Sequence, residues 1–286
     1  MPMTQIEPWV RAAIYLLVIG LALEAAHRIY WTLRKRAKEL KAGIVWQSFL
    51  MAAAASLPLL TAFSVTWAFC LWVDRQSLAD IGLRTDLKPG FHLTAGLLVA
   101  IAVVALVFAV GRLSGWFRVE RFNLGSDRRM GLPTLCGGVS DYITASVFEE
   151  IVMRGYVFSL LYRTLGVSTA IVGSAAIFSG CHLVKHSRLP VLYMVNAFFF
   201  GVLMAQSRFV TGALWMPIGL HAGWNLASLA LGMPFAGRMC ETGLITCSVE
   251  GPEYVTGGYC SPDAGLLGTL GLLVAASTLV ALAPVI

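Results

Sequence analysis

Apolar positions along this chain come in long runs instead of alternating with polar ones. Several runs exceed the roughly 18 residues that mark a membrane-spanning helix. They predict about eight helices, over Trp9–Thr32, Ile44–Val73, Phe91–Leu113, Asp141–Leu165, Val167–Lys185, Pro190–Arg208, Gly212–Leu231 and Ala264–Val285. The second contains Pro58 and is expected to kink or tilt. No segment shows the period-two alternation of a membrane barrel. Only helices and closed barrels satisfy every backbone group in lipid, so the expected fold is all-α and polytopic. A basic cluster and no small-residue cleavage site follow the first apolar run, which reads as a retained anchor. No internal repeat, low-complexity tract or second soluble domain is visible.

Composition agrees. Of 286 residues, 58% are hydrophobic and 13% charged, with mean hydropathy +0.76, against roughly a quarter charged in ordinary soluble domains. The net charge of +6 would suggest nucleic acid in a soluble protein. Here the basic residues sit beside apolar runs, so the implied partner is membrane lipid. Arg34, Lys35, Arg36, Lys38 and Lys41 follow the first helix; Arg118, Arg121, Arg128 and Arg129 follow the third, with Arg112 at its edge; Lys185 and Arg188 stand at the end of the fifth. The positive-inside rule then puts the N-terminus outside and the odd-numbered loops in the cytoplasm. The seventh loop fits less well, with Arg238 against Glu241, Glu250, Glu253 and Asp263. Six cysteines include no CxxC pair; Cys240, Cys247 and Cys260 share one late loop, either paired or reduced.

Ionisable residues inside a span cost roughly 2.5–3.5 kcal/mol at its centre and usually have a partner or a task. Glu149, Glu150 and Arg154 lie in the fourth helix, His182 in the fifth, and His221 with Asn225 in the seventh. Glu150 and Arg154 are spaced for an ion pair on one face, whereas Glu149 is turned about 100° away. His221 and Asn225 share a face, and Phe178 can pack beneath the His182 imidazole. If Asp141 caps the fourth helix after the breakers Gly137 and Gly138, Glu149 lies about 12 Å along it. His182 and His221 then fall at compatible depths, so the groups can meet in the cytoplasmic half of the bilayer. Glu24 lies deep in the first helix and is assigned no chemistry, while His27 and His186 are interfacial.

Such a cluster can hydrolyse an amide. Glu149 can take a proton from water, and His221 and Asn225 can stabilise the oxyanion. Alternatively Glu149, His182 and His221 form a zinc set with an open position. No HExxH is present, so the metal alternative rests on residue types alone.

"EEIVMR", "FSGCH" and "HAGWN" match EExxxR, FxxxH and HxxxN in order. Together they resemble the CPBP family of intramembrane proteases, which includes CAAX prenyl-protein endopeptidases and bacteriocin-processing or self-immunity proteins. The resemblance runs from about Ala145 to Gly265, including the loop "GPEYVTGGYCSPDAG", where Cys260 and Asp263 replace an expected glycine and glutamate. It divides the chain into helices without a family signature (1–135) and a catalytic core (136–286). It implies Glu149 as water-activating base, His182 orienting that water, and His221 with Asn225 on the oxyanion side. Glu150, Arg154 and Phe178 are implied as supporting residues. No cofactor is required on this reading, zinc being the alternative. The implied substrate is a membrane-tethered or lipidated peptide, and the implied place a bacterial plasma membrane, where prenylated substrates are not expected. Two rivals remain: a non-enzymatic scaffold or immunity protein, and a proton-coupled transporter, for which no inverted repeat speaks.

Overall fold

The computed structural model describes residues 7–39, 43–123, 132–185, 190–234 and 243–284. Helix α1 is Pro8–Glu39, and α2, Ile44–Ala68, runs on into a π-helical turn, Phe69–Asp74. Helix α3 is Pro89–Leu113 and strand β1 Phe117–Phe122. A continuous rod follows: α4 (Leu132–Glu150), a π-helical segment (Ile151–Val157) and α5 (Phe158–Leu165). Then come α6 (Val167–Lys185), α7 (Val191–Thr211), α8 (Trp215–Ala230), β2 (Ile245–Val249), the short α9 (Glu253–Thr256), a 3-10 turn (Pro262–Ala264) and α10 (Leu266–Leu282).

Every expected helix has a counterpart. By length and hydropathy four helices among the described residues can cross a membrane: Pro8–Ala37, Val45–Asp74, Pro89–Leu113 and Val191–Thr211. The other expected spans are helical but shorter, as Val167–Leu183 and Leu266–Leu282 are, or carry the polar residues of the site.

One expected boundary is wrong. The fourth helix starts at Leu132, and Asp141 is not its cap but lies within it, accepting hydrogen bonds from Tyr30 and Arg34 on α1. Gly137 does not break the helix, because it serves contact: a Cβ there would lie 2.9 Å from both Arg34 Nη2 and the Met51 methyl. The depth count from Asp141 therefore loses its origin, and the site is assembled by packing instead. Glu24 does not face the bundle; it pairs with Arg28 at 2.9 Å, both side chains exposed.

Among the described residues the two largest apolar cores hold most of the helices. One joins α3, α7, α8 and α10 through Val104, Met204, Leu220, Trp224 and Ala275. The other joins α1, α2, the π segment after α4 and α6 through Tyr15, Ala62, Tyr156, Val157 and Ala170. The two π-helical turns are tied directly, because Tyr156 donates to Asp74 at 2.6 Å and Arg11 of α1 pairs with the same carboxylate. The N-terminal helices thus brace the rod that carries the glutamates.

Helices α3 and α8 touch backbone to backbone. A Cβ at Gly219 would lie 2.2 Å from the Leu93 carbonyl oxygen, and one at Gly223 2.6 Å from that of Leu97. Small residues are the usual means of such approach between membrane helices. Gly219→Ala must push the helices apart and is expected to cost about 1–3 kcal/mol by overpacking. The check is the thermal midpoint in micelles; an unchanged midpoint would show that the contact is not tight.

Strands β1 and β2 form an unexpected antiparallel pair, from Phe117 opposite Val249 to Phe122 opposite Ile245. Arg118 meets Glu250 at 3.1 Å beside it. The pair joins the loop after α3 to the loop after α8, which places both on one side of the bundle, as the parity of the loops requires. Cys247 and Cys260 are free thiols, and burial pushes each up to about 11. Cys240, Arg238 and His186 lie outside the described residues.

Candidate active site

Glu149 and Glu150 end α4, and Arg154 lies in the π-helical segment that follows. The expected ion pair is present: Arg154 Nη1 donates to Glu150 Oε1 at 3.1 Å, with both side chains 0% exposed. Arg154 Nη2 also reaches the Gly201 carbonyl at 3.2 Å, and the Phe178 ring lies 4.4 Å from the guanidinium carbon. Gly201 permits that approach, since a Cβ there would sit 2.9 Å from Ala175 and 3.3 Å from the guanidinium.

Spacing along one helix does not reveal the next contact. Glu150 Oε1 also pairs with His221 Nδ1 at 2.8 Å. An ionised carboxylate only accepts, so Nδ1 carries the hydrogen and the imidazole is fixed in orientation. His221 Nε2 then points toward Glu149 Oε2 at 3.9 Å. Glu149 is 21% exposed where Glu150 is fully covered. Of the two adjacent carboxylates, one is consumed by Arg154 and His221 and the other opens to a cavity.

That cavity has a volume of about 260 Å³ and is lined by Glu149, Phe178, His182, His221 and Asn225, with Asp263 among the further walls. His182 Nδ1 bonds the Phe178 carbonyl at 3.0 Å, and the two rings pack at 4.7 Å, as their spacing suggested. Asn225 donates one amide hydrogen to Ser146 Oγ at 3.0 Å, and Ser146 in turn donates to the Tyr142 carbonyl. Residues from α4, α6 and α8 thus meet at one cavity, with Glu150 and Arg154 directly behind it.

Asn196, Asp141 and Asp263 also line the cavity, and none of them was assigned to the site from the sequence. Asn196 is uncharged and went unnoticed among ionisable residues. It holds the loop before α10 in place, donating to the Asp263 carbonyl at 2.7 Å and accepting from Thr269 at 2.9 Å. Asp263 was visible only as a departure in the glycine-rich loop. Its carboxylate accepts from Trp224 Nε1 at 3.0 Å and from the Ser261 hydroxyl at 2.8 Å.

Burial raises the Asp263 carboxyl above its ordinary value, although the Ser261 and Trp224 hydrogen bonds and the nearby His182 and His221 oppose the rise. The folded protein therefore holds this proton more tightly than the unfolded chain does. Its contribution to stability is full below the ordinary carboxylate pKa of about 3.9 and is lost as pH rises through the higher native value. Asp263→Asn is expected to remove that loss. Above about pH 4 the wild-type midpoint in micelles should fall progressively relative to the variant. A pH-independent difference would show that Asp263 does not titrate this way.

Among the described residues no group of three or more His, Cys, Asp or Glu is placed to hold a metal ion. Glu149, His182 and His221 all line the cavity.

Residues 131–227 match the family model described as type II CAAX prenyl endopeptidase, Rce1-like. The matched segment runs from the start of α4 into α8 and contains every side chain assigned to the site from the sequence, while Asp263 lies beyond it. No curated protein and no solved structure matches the chain.

Proposed function

We propose that this chain, which belongs to the CPBP family through its Rce1-like residues 131–227, cleaves membrane-tethered or lipidated peptides with water activated by Glu149. The observation that carries the proposal is the unequal fate of the two glutamates. Glu150 is closed off by Arg154 and His221, while Glu149 faces a cavity shared with His182, His221 and Asn225.

In the proposed reaction Glu149 takes a proton from a water oriented by His182, and the water oxygen bonds to the scissile carbonyl carbon. In this step His221 acts as an imidazolium, its Nδ1–H on Glu150 and its Nε2–H on the oxyanion, and the second amide hydrogen of Asn225 stabilises the same oxygen. On collapse the carbon–nitrogen bond breaks and Glu149 passes its proton to the departing amine. One water is consumed, and a carboxyl and an amine product leave. No step uses a metal. Loops carrying Arg118 and Arg121 lie on the β1–β2 side of the bundle, and the positive-inside rule assigns that side to the cytoplasm. The reading places the chain in a plasma membrane, crossed about eight times, with the core at 136–286.

The test is cleavage of a membrane-tethered peptide library by the purified protein in proteoliposomes. Wild type is expected to cleave equally with and without chelator. His221→Ala should fall by on the order of 10²–10³-fold through loss of the oxyanion donor. Loss of cleavage with chelator would restore the zinc alternative. Folded wild type that cleaves nothing would favour the scaffold or immunity reading.

A further inference from the structure

Among the described residues, the end of the bundle remote from the cavity holds a cation without a counter-ion. Asn196, near the start of α7, lines the cavity; Arg208, in the last turn of the same helix, lies about 18 Å further along its axis. Arg208 is only 8% exposed, and its Nε is buried without a hydrogen bond. The guanidinium lies against the bare backbone of Gly82, where a Cβ would come within 2.5 Å of Nε, and its carbon is 5.9 Å from the Phe158 ring.

Its charged neighbours are cations, Arg163 and Arg84. Arg84 is committed to Asp86 at 2.6 Å. Two acids, Asp74 and Asp80, act on Arg163 instead and already have partners: Asp74 with Arg11 and Tyr156, Asp80 with Ser77. A charge withdrawn from water ordinarily has a full counter-charge. The carbonyl end of α7 supplies only a partial one.

The surroundings say where an anion would come from. Tyr162 of α5 and Phe209 of α7 meet with ring centroids 5.9 Å apart, so the ends carrying Arg163 and Arg208 are adjacent. Tyr162, Leu165, Phe209 and Val210 are exposed there, the mixture of aromatic and aliphatic surface found at a membrane–water boundary. We propose that Arg208, with the exposed Arg163, binds a phosphate anion at this rim, supplied by the headgroup of an acidic phospholipid. The planar guanidinium suits two phosphate oxygens at once, and the exposed apolar residues flank the acyl chains. This site is independent of the proposed hydrolysis and can be tested without it.

The experiment uses the delipidated full-length protein in detergent, followed by native mass spectrometry and by thermal midpoint. Phosphatidylglycerol, phosphatidylcholine and inorganic phosphate are added in parallel. Phosphatidylglycerol is expected to bind and raise the midpoint, with phosphatidylcholine weaker. Arg208→Met should weaken phosphatidylglycerol by about tenfold or more and abolish its effect on the midpoint. Without lipid that variant should melt no lower than wild type, since the charge it removes had no partner. Arg163→Gln, at an exposed position that does not endanger folding, should weaken binding several-fold, and it carries the test alone should Arg208→Met fail to fold. Unchanged phosphatidylglycerol binding in the variants would overturn the proposal, as would an equal effect of inorganic phosphate alone.

Discussion

Glu149→Gln is expected to lower kcat for a membrane-tethered peptide by about 10²–10⁴-fold, the usual worth of a positioned general base. The fold should be untouched. Glu149 is partly exposed to the cavity, and His221 Nε2 stands 3.9 Å away, beyond hydrogen-bond distance, so an isosteric amide breaks no hydrogen bond. KM should change little, because binding of the apolar substrate does not depend on this proton. Steady-state kinetics with a parallel thermal melt checks both statements. Glu150→Gln should behave in the opposite sense: its carboxylate lies under Arg154 and His221, so stability falls and the orientation of His221 is lost with it.

Arg154→Met is expected to be the most damaging single change to the structure. The guanidinium is fully buried and holds Glu150, the Gly201 carbonyl and the face of Phe178 together. Removing it leaves the Glu150 charge with His221 alone, and breaking a buried pair costs about 3–5 kcal/mol. Since domains are stable by only about 5–15 kcal/mol, little folded protein should survive purification. The double change Glu150→Gln with Arg154→Met should recover much of the loss, because it removes the stranded charge. Arg154→Met that melts with wild type would show that the pair does not hold the rod in place.

What was legible in the sequence was local. The i, i+4 spacing of Glu150 and Arg154, the packing of Phe178 against His182, and α6 at Val167–Lys185 all follow from helical periodicity. The contact that gives Glu150 its second role joins residues on different helices, and no spacing encodes it. The stretch Phe117–Phe122 does alternate in part, but its arginines looked like topogenic charge and its partner strand lies beyond α8. Gly137 looked like a helix breaker because glycine permits both turns and close approach, and only the neighbouring Arg34 and Met51 decide between them. Asp263 carried a faint signal as a departure in its loop, and its meaning appeared once Trp224 and Asn196 were beside it.

The claim that matters most is that water held by Glu149 attacks the peptide directly. A single turnover in water enriched in oxygen-18 tests it, with mass analysis of the product and of the peptide containing Glu149. The expected result is one heavy oxygen in the new product carboxyl and none in Glu149. Heavy oxygen in the Glu149 carboxylate would mean that the glutamate itself attacks and forms an anhydride, which contradicts the mechanism proposed.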